Sequence, residues 1–143
     1  MKAMLISVVA AALGLVAGLP TNAAVAQARP ASSIVRSLDG EWRLATDPKN
    51  AGRDQQWFTA PQPEAVPAKV PWIIQEAFPG YHGVAWYWRD FVPPANPHPR
   101  GRSLLRFWSV DFSAEVWLNG VPVGRHEGGE TPFVLDVTDA LKV

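Results

Sequence analysis

The pair Asn119-Gly120 restricts this chain more than any other stretch. Both inner positions of a two-residue type I′ hairpin turn require positive φ, and asparagine and glycine are the residues that tolerate it. The pair is flanked by β-rich runs. Ala114, Val116 and Leu118 alternate with Glu115, Trp117 and Asn119, so one face of the incoming strand looks inward and the other is more polar. Val121-Pro122-Val123-Gly124 forms the returning strand. A further β-rich run precedes the hairpin (Leu104 to Val110) and another follows it (Pro132 to Val137), with no helical pattern between them. Consecutive antiparallel strands of this kind predict an all-β fold, a β-sandwich.

Composition supports a packed fold and excludes several functions. The 143 residues are 48% hydrophobic and 18% charged, with zero formal net charge and no cysteine. Lysine and arginine form no cluster, so there is no nucleic-acid footprint. Three scattered histidines without cysteine do not make a zinc site, and no metal or cofactor is expected. Fourteen prolines argue against long helices and for strands joined by irregular loops.

Residues 1–28 read as a secretory signal peptide. Lys2 gives the positive start, Ala3 to Leu19 the apolar run, Pro20 the break, and Ala24-Val25-Ala26 and Ala26-Gln27-Ala28 two small-x-small cleavage sites. An uncleaved membrane anchor is the competing reading, because the apolar run is nearly long enough to span. Cleavage after Ala26 or Ala28 places the product outside the cytoplasm, secreted or periplasmic, and not on a membrane. The remainder, residues 29–143, has the size of one small domain.

Along that remainder, Leu38-Asp39-Gly40-Glu41-Trp42-Arg43-Leu44 reads as a turn into a strand, with Trp42 and Leu44 on one side. Asp47 to Gln56 is polar and reads as a loop, with a helical turn near Arg53 to Phe58. Ala68-Lys69-Val70 is a short strand stopped by Pro71, and Trp72 to Gly83 a long aromatic loop. Val84 to Val92 is a strand with Trp86 and Trp88 on one face and Tyr87, Arg89 and Phe91 on the other.

Seven short motifs then follow one another in order: Leu38-Asp39-Gly40-Glu41-Trp42; Val70-Pro71; Trp86-Tyr87-x-Arg89-x-Phe91; Leu105-Arg106-Phe107; Val116-Trp117-Leu118-Asn119-Gly120; His126-Glu127-Gly128-Gly129-x-x-Pro132-Phe133; and Asp136-Val137-Thr138. Together they resemble the N-terminal sugar-binding domain of the family-2 glycoside hydrolases, the β-galactosidases, β-glucuronidases and β-mannosidases. The resemblance implies an antiparallel jelly-roll sandwich of the galactose-binding-domain type, packed beside a (β/α)₈ barrel that carries the two catalytic glutamates of a retaining mechanism. It also implies closing strands beyond Thr138, so the sandwich within residues 29–143 is expected to be incomplete. The expected partners are carbohydrate and the parent enzyme's barrel.

No catalytic residue is assigned. Asp111, Glu115, Glu127 and Glu130 are the carboxylates near the hairpin, but spacing along strands and loops does not establish the separation of about 5 Å that retaining hydrolysis needs. Glu115 and Glu130 are expected in solvent and Glu127 as a loop hydrogen-bonder. The candidates for ligand or domain contact are Trp72, Tyr81, His82, His126 and Glu127. The first two are aromatic groups in a loop, and His126-Glu127 leads into two glycines that permit close approach of another surface. Trp86 and Trp88 are candidates for sugar stacking or for the core, and Trp42 and Trp117 for packing. Two other functions fit the residues: a free-standing carbohydrate-binding module, and a structural subunit completing a separately encoded barrel.

Overall fold

The structure is a computed structural model that describes residues 33–142; the expected signal peptide lies outside the described residues. Seven strands occur among them: β1 (Gly40–Asp47), β2 (Val66–Val70), β3 (Val84–Trp88), β4 (Leu104–Phe107), β5 (Ser113–Leu118), β6 (Val121–Glu127) and β7 (Phe133–Asp136). Among the described residues, regular helix is confined to three 3₁₀ turns, Trp57–Thr59, Ile74–Glu76 and Ala140–Lys142. All pairing is antiparallel. The strands form one sheet in the order β2-β1-β3 and two two-stranded ladders, β4-β7 and β5-β6. The fold is thus an all-β sandwich.

Asn119 and Gly120 turn the chain between β5 and β6 with φ of 53° and 79°, the two positive values a type I′ turn requires. The Asn119 side-chain amide donates to the carbonyl of Ala140 at 3.0 Å, tying the turn to the last 3₁₀ turn. The ladder slips by one residue between Val116 and Trp117, a bulge that leaves Val123 as the extra residue.

One hydrophobic core draws on every strand. Trp42 of β1, Leu105 of β4, and Val116 and Leu118 of β5 are buried in it, with Leu38, Val137 and Ala140 from the flanking segments. Val70, Tyr87, Phe107, Val121, Val123 and Leu135 pack around them. Leu118 has no exposed surface, which is worth about 1.5–3 kcal/mol in hydrophobic burial.

A second cluster covers the opposite face. Ala45, Ala65, Trp86 and Trp88 are buried there against Trp57, Phe58 and Trp117. The alternation along β3 therefore serves two interiors, with Tyr87 facing one and Trp86 and Trp88 the other. The same holds for β5, where Trp117 lies 5.3 Å from Trp86 and stacks on Phe58 at 5.4 Å. The face of β5 expected to be the more polar one is thus half apolar, because the segment between β1 and β2 folds over it.

That segment is held by Asp47. The strand expected to end at Leu44 runs on to Asp47, whose side chain is 3% exposed. Its carboxylate accepts from the backbone N–H of Ala51 at 2.9 Å, that of Gly52 at 2.7 Å and the Trp86 indole N–H at 3.1 Å. The other buried indoles are also satisfied: Trp42 donates to the carbonyl of Leu38 at 2.9 Å and Trp88 to that of Trp57 at 2.8 Å. Burial alone raises the Asp47 pKa, but the hydrogen bonds from Ala51, Gly52 and Trp86 outweigh it and hold the carboxyl below its ordinary value.

A folded-state pKa below the unfolded one means that ionised Asp47 contributes stability above the unfolded pKa of about 3.9, and that this contribution is lost as pH falls through the folded value. Asp47→Asn should cost about 1–3 kcal/mol at pH 7, since at least one of the three donors loses its acceptor. It should also flatten the loss of stability below about pH 4. Urea melts of both forms between pH 7 and pH 3 check this, and parallel pH curves for the two would show that Asp47 is not the titrating group.

Candidate functional site

The residues singled out for ligand or domain contact fall into two groups. Trp72, Tyr81 and His82 lie in the connection between β2 and β3. His126 and Glu127 close β6, beside the connection between β4 and β5. No hydrogen bond, ring contact or ion pair joins the two groups among the described residues.

In the first group the backbone leaves β2 at Val70-Pro71, a cis peptide, and folds through the 3₁₀ turn Ile74–Glu76. Trp72 is 64% exposed and Ile73 63%, so neither contributes to the core. Both border an open groove of about 350 Å³ whose floor includes Leu44 and Tyr87, a cross-strand pair of β1 and β3. Tyr81 is half-buried, and its hydroxyl donates to the carbonyl of Val84 at 2.6 Å, bracing the loop against β3. His82 is exposed and makes no hydrogen bond to a described residue.

In the second group the two connections are laced together. The Gly128 N–H donates to the Phe112 carbonyl at 2.7 Å, and the Ser109 hydroxyl donates to the carbonyl of Gly129. His126 stacks on Phe133, with ring centroids 4.3 Å apart, and Nε2 lies 2.8 Å from the Thr131 hydroxyl. Glu127 points into solvent with no hydrogen-bond partner among the described residues, so the expected loop hydrogen-bonder is its neighbour His126. Trp108 and Phe112, which the sequence reading passed over, stand 70% and 69% exposed here, with the Arg106 guanidinium 3.9 Å over the Trp108 ring. Phe107-Trp108, adjacent aromatic residues that cannot both face inward from one strand, was the available signal for Trp108; Phe112 carries none.

Glu115, expected to be free in solvent, pairs with Arg53 on the segment that covers the second cluster. Trp86 and Trp88 are buried and unavailable for stacking on a sugar, whereas Trp42 and Trp117 pack as expected. At the far end of β7, Asp136 accepts from the Thr138 hydroxyl at 2.5 Å and its N–H at 3.0 Å; these bonds hold its pKa below the ordinary value. Among the described residues no group of three histidine or acidic side chains is placed to hold a metal, and no helix is long and apolar enough to cross a membrane.

The described residues form an all-β sandwich with aromatic side chains exposed on two groups of loops. Relatives in sequence and in fold agree on one enzyme class. The chain is 37% identical over 109 residues to a β-glucuronidase of Paenibacillus borealis, a match covering 73% of the chain and 18% of that enzyme. It is 34% identical over 124 residues to the β-glucuronidase of Mus musculus, covering 78% of the chain and 19% of the enzyme. Among solved structures, the Ruminococcus gnavus β-glucuronidase in complex with a C6-substituted uronic isofagomine superposes with a TM-score of 0.65 at 31% identity, over 73% of the chain and 18% of that enzyme. No protein-family profile matches. The homologues are thus β-glucuronidases of glycoside hydrolase family 2, and the match is that of an N-terminal domain. The chain spans less than a fifth of the length of these relatives.

Gly128 has φ of 128°, and a Cβ there would lie 2.8 Å from the Thr131 hydroxyl. Gly128→Ala should therefore strain the β6–β7 connection by about 1–3 kcal/mol. Amide hydrogen exchange should show it as lost protection at residue 128, whose N–H holds the Phe112 carbonyl, with the β5-β6 ladder protected as before; unchanged exchange at residue 128 would contradict it.

Proposed function

We propose that this chain is the N-terminal sugar-binding jelly roll of a secreted or periplasmic β-glucuronidase-type glycoside hydrolase. In this reading it supports a catalytic barrel and lends loops to the rim of that barrel's pocket, while the acid/base and nucleophile reside on the barrel. The observation that carries the reading is the coincidence of sequence and fold matches with β-glucuronidases, both confined to about 18% of their length. The second loop group suits the interface role. Its two connections are hydrogen-bonded to each other, and it presents Trp108 and Phe112 outward, an apolar surface of the kind that packs against another domain. The apolar run of Ala3 to Leu19 and the Ala-x-Ala sites support export.

The test is a chimera in which residues 33–142 replace the matching segment of the Paenibacillus borealis β-glucuronidase. The chimera should hydrolyse a chromogenic β-glucuronide, and the unfused chain should not, because in this reading the acid/base and nucleophile reside on the barrel. Trp108→Asp with Phe112→Asp should abolish the chimera's activity by undocking the domain. Activity of the unfused chain, or a soluble chimera that is folded but inactive, would defeat the reading.

A further inference from the structure

We propose that Asn119 is a site of self-modification, where the amide converts to aspartate and isoaspartate through a cyclic imide with Gly120, and that the folded hairpin restrains this conversion by holding the amide on Ala140. The proposal goes beyond the reading of the chain as a glycosidase domain and does not draw on it. It starts from the same pair that fixes the fold. Glycine after asparagine leaves the following backbone nitrogen without a neighbouring side chain to shield it, so that nitrogen can reach the Asn119 Cγ. The other described asparagines lack this arrangement. Asn50 precedes alanine, and Asn96 precedes proline, whose nitrogen carries no proton.

The site is open to water. Asn119 and Gly120 are half-buried at the tip of the hairpin. Even a Cβ on Gly120 would meet nothing closer than the Thr59 methyl, at 4.0 Å. Base removes the Gly120 N–H proton, the nitrogen attacks Cγ, and the N–Cγ bond forms as the Cγ–Nδ2 bond breaks. The nitrogen that leaves takes up a proton and departs as ammonia. Water then opens the imide at Cγ to give aspartate, or at the backbone carbonyl carbon to give isoaspartate. The sum is amide plus water to acid plus ammonia, with nothing oxidised or reduced.

The fold opposes the first step twice. An imide ring fixes the Asn119 ψ far from the value of about 30° that a type I′ turn gives it, so the turn must open before the ring closes. With φ of 53° and 79°, both residues are held in that turn. The departing group is also engaged, since Nδ2 donates to the Ala140 carbonyl at 3.0 Å. Ala140 is buried and heads the last 3₁₀ turn, whose Leu141 packs on the main core. Bonds from the Leu141 N–H to the Val137 carbonyl and from the Lys142 N–H to that of Asp139 close this turn, each at 3.0 Å.

The product cannot restore the tie. An aspartate carboxylate has no donor for the Ala140 carbonyl and sets two acceptors face to face. Isoaspartate also adds a methylene to the backbone of a two-residue turn, which disturbs the pairing of Leu118 with Val121 beside it. The modification therefore unties the hairpin from the last 3₁₀ turn in one direction only.

The experiment keeps the whole chain in mildly alkaline buffer, folded in one arm and unfolded in urea in the other, and follows Asn119 by peptide mass spectrometry. Conversion should be at least about fivefold slower in the folded arm, the worth of one net hydrogen bond. In urea Asn119 should convert faster than Asn50, the internal reference. In Asn119→Asp, amide exchange at Leu141 and Lys142 should quicken by about the same factor, with the β5-β6 ladder protected as before. Equal rates in the two arms would remove the restraint. An Asn119 no faster than Asn50 in urea would remove the site, and unchanged exchange at residues 141 and 142 would remove the consequence; any of these overturns the proposal. The rate comparison uses the unaltered chain, so it decides the matter even where Asn119→Asp does not fold.

Discussion

The carboxylate of Asp47 is the contact on which the arrangement of the molecule turns. β3 carries Trp86 and Trp88 on the face away from the sandwich core. Left in water, each indole would expose an area on the order of 150–250 Å², and burying it is worth several kcal/mol at about 25 cal/mol per Å². The cover is the segment between β1 and β2, which has no regular structure beyond one 3₁₀ turn. Ordering such a segment costs about 1–2 kcal/mol per residue in backbone entropy, so it needs anchors as well as apolar contacts. Asp47 binds its first turn and one of the tryptophans it covers with the same carboxylate. The Arg43 guanidinium holds the other end, donating to the Ala65 carbonyl at 2.5 Å and 3.1 Å.

Much of the strand framework was legible because its signals are local. The Asn119-Gly120 turn, the inward alternation of Val116 and Leu118, and the two-faced pattern of β3 each depend on residues within a few positions of one another. What escaped depends on long-range closure. Asp47 read as the start of a polar loop because aspartate is rarely buried without partners, and one of its partners, Trp86, is 39 residues away. Trp117 sat on a face that alternation marks as outward, and only the docking of Phe58 makes that face an interior. Of the candidate site residues, the exposure of Trp72 was readable from its place in a proline-bounded loop. The engagement of His126 with Phe133 and Thr131 was not, since it joins the end of one strand to the start of the next across a glycine turn.

The two loop groups differ in how the fold holds them. The second is continuous with β5 and β6, whose Val116 and Leu118 sit deep in the core, and its connections bond to each other. A surface so braced suits a permanent interface, where rigidity lowers the entropy cost of docking. The first hangs from β2, an edge strand, and is braced mainly through the Tyr81 hydroxyl and the bond from the Gln75 amide to the Tyr81 carbonyl at 3.2 Å. Its bonds are all local, within residues 73–84, whereas those of the second group tie two separate connections of the chain together.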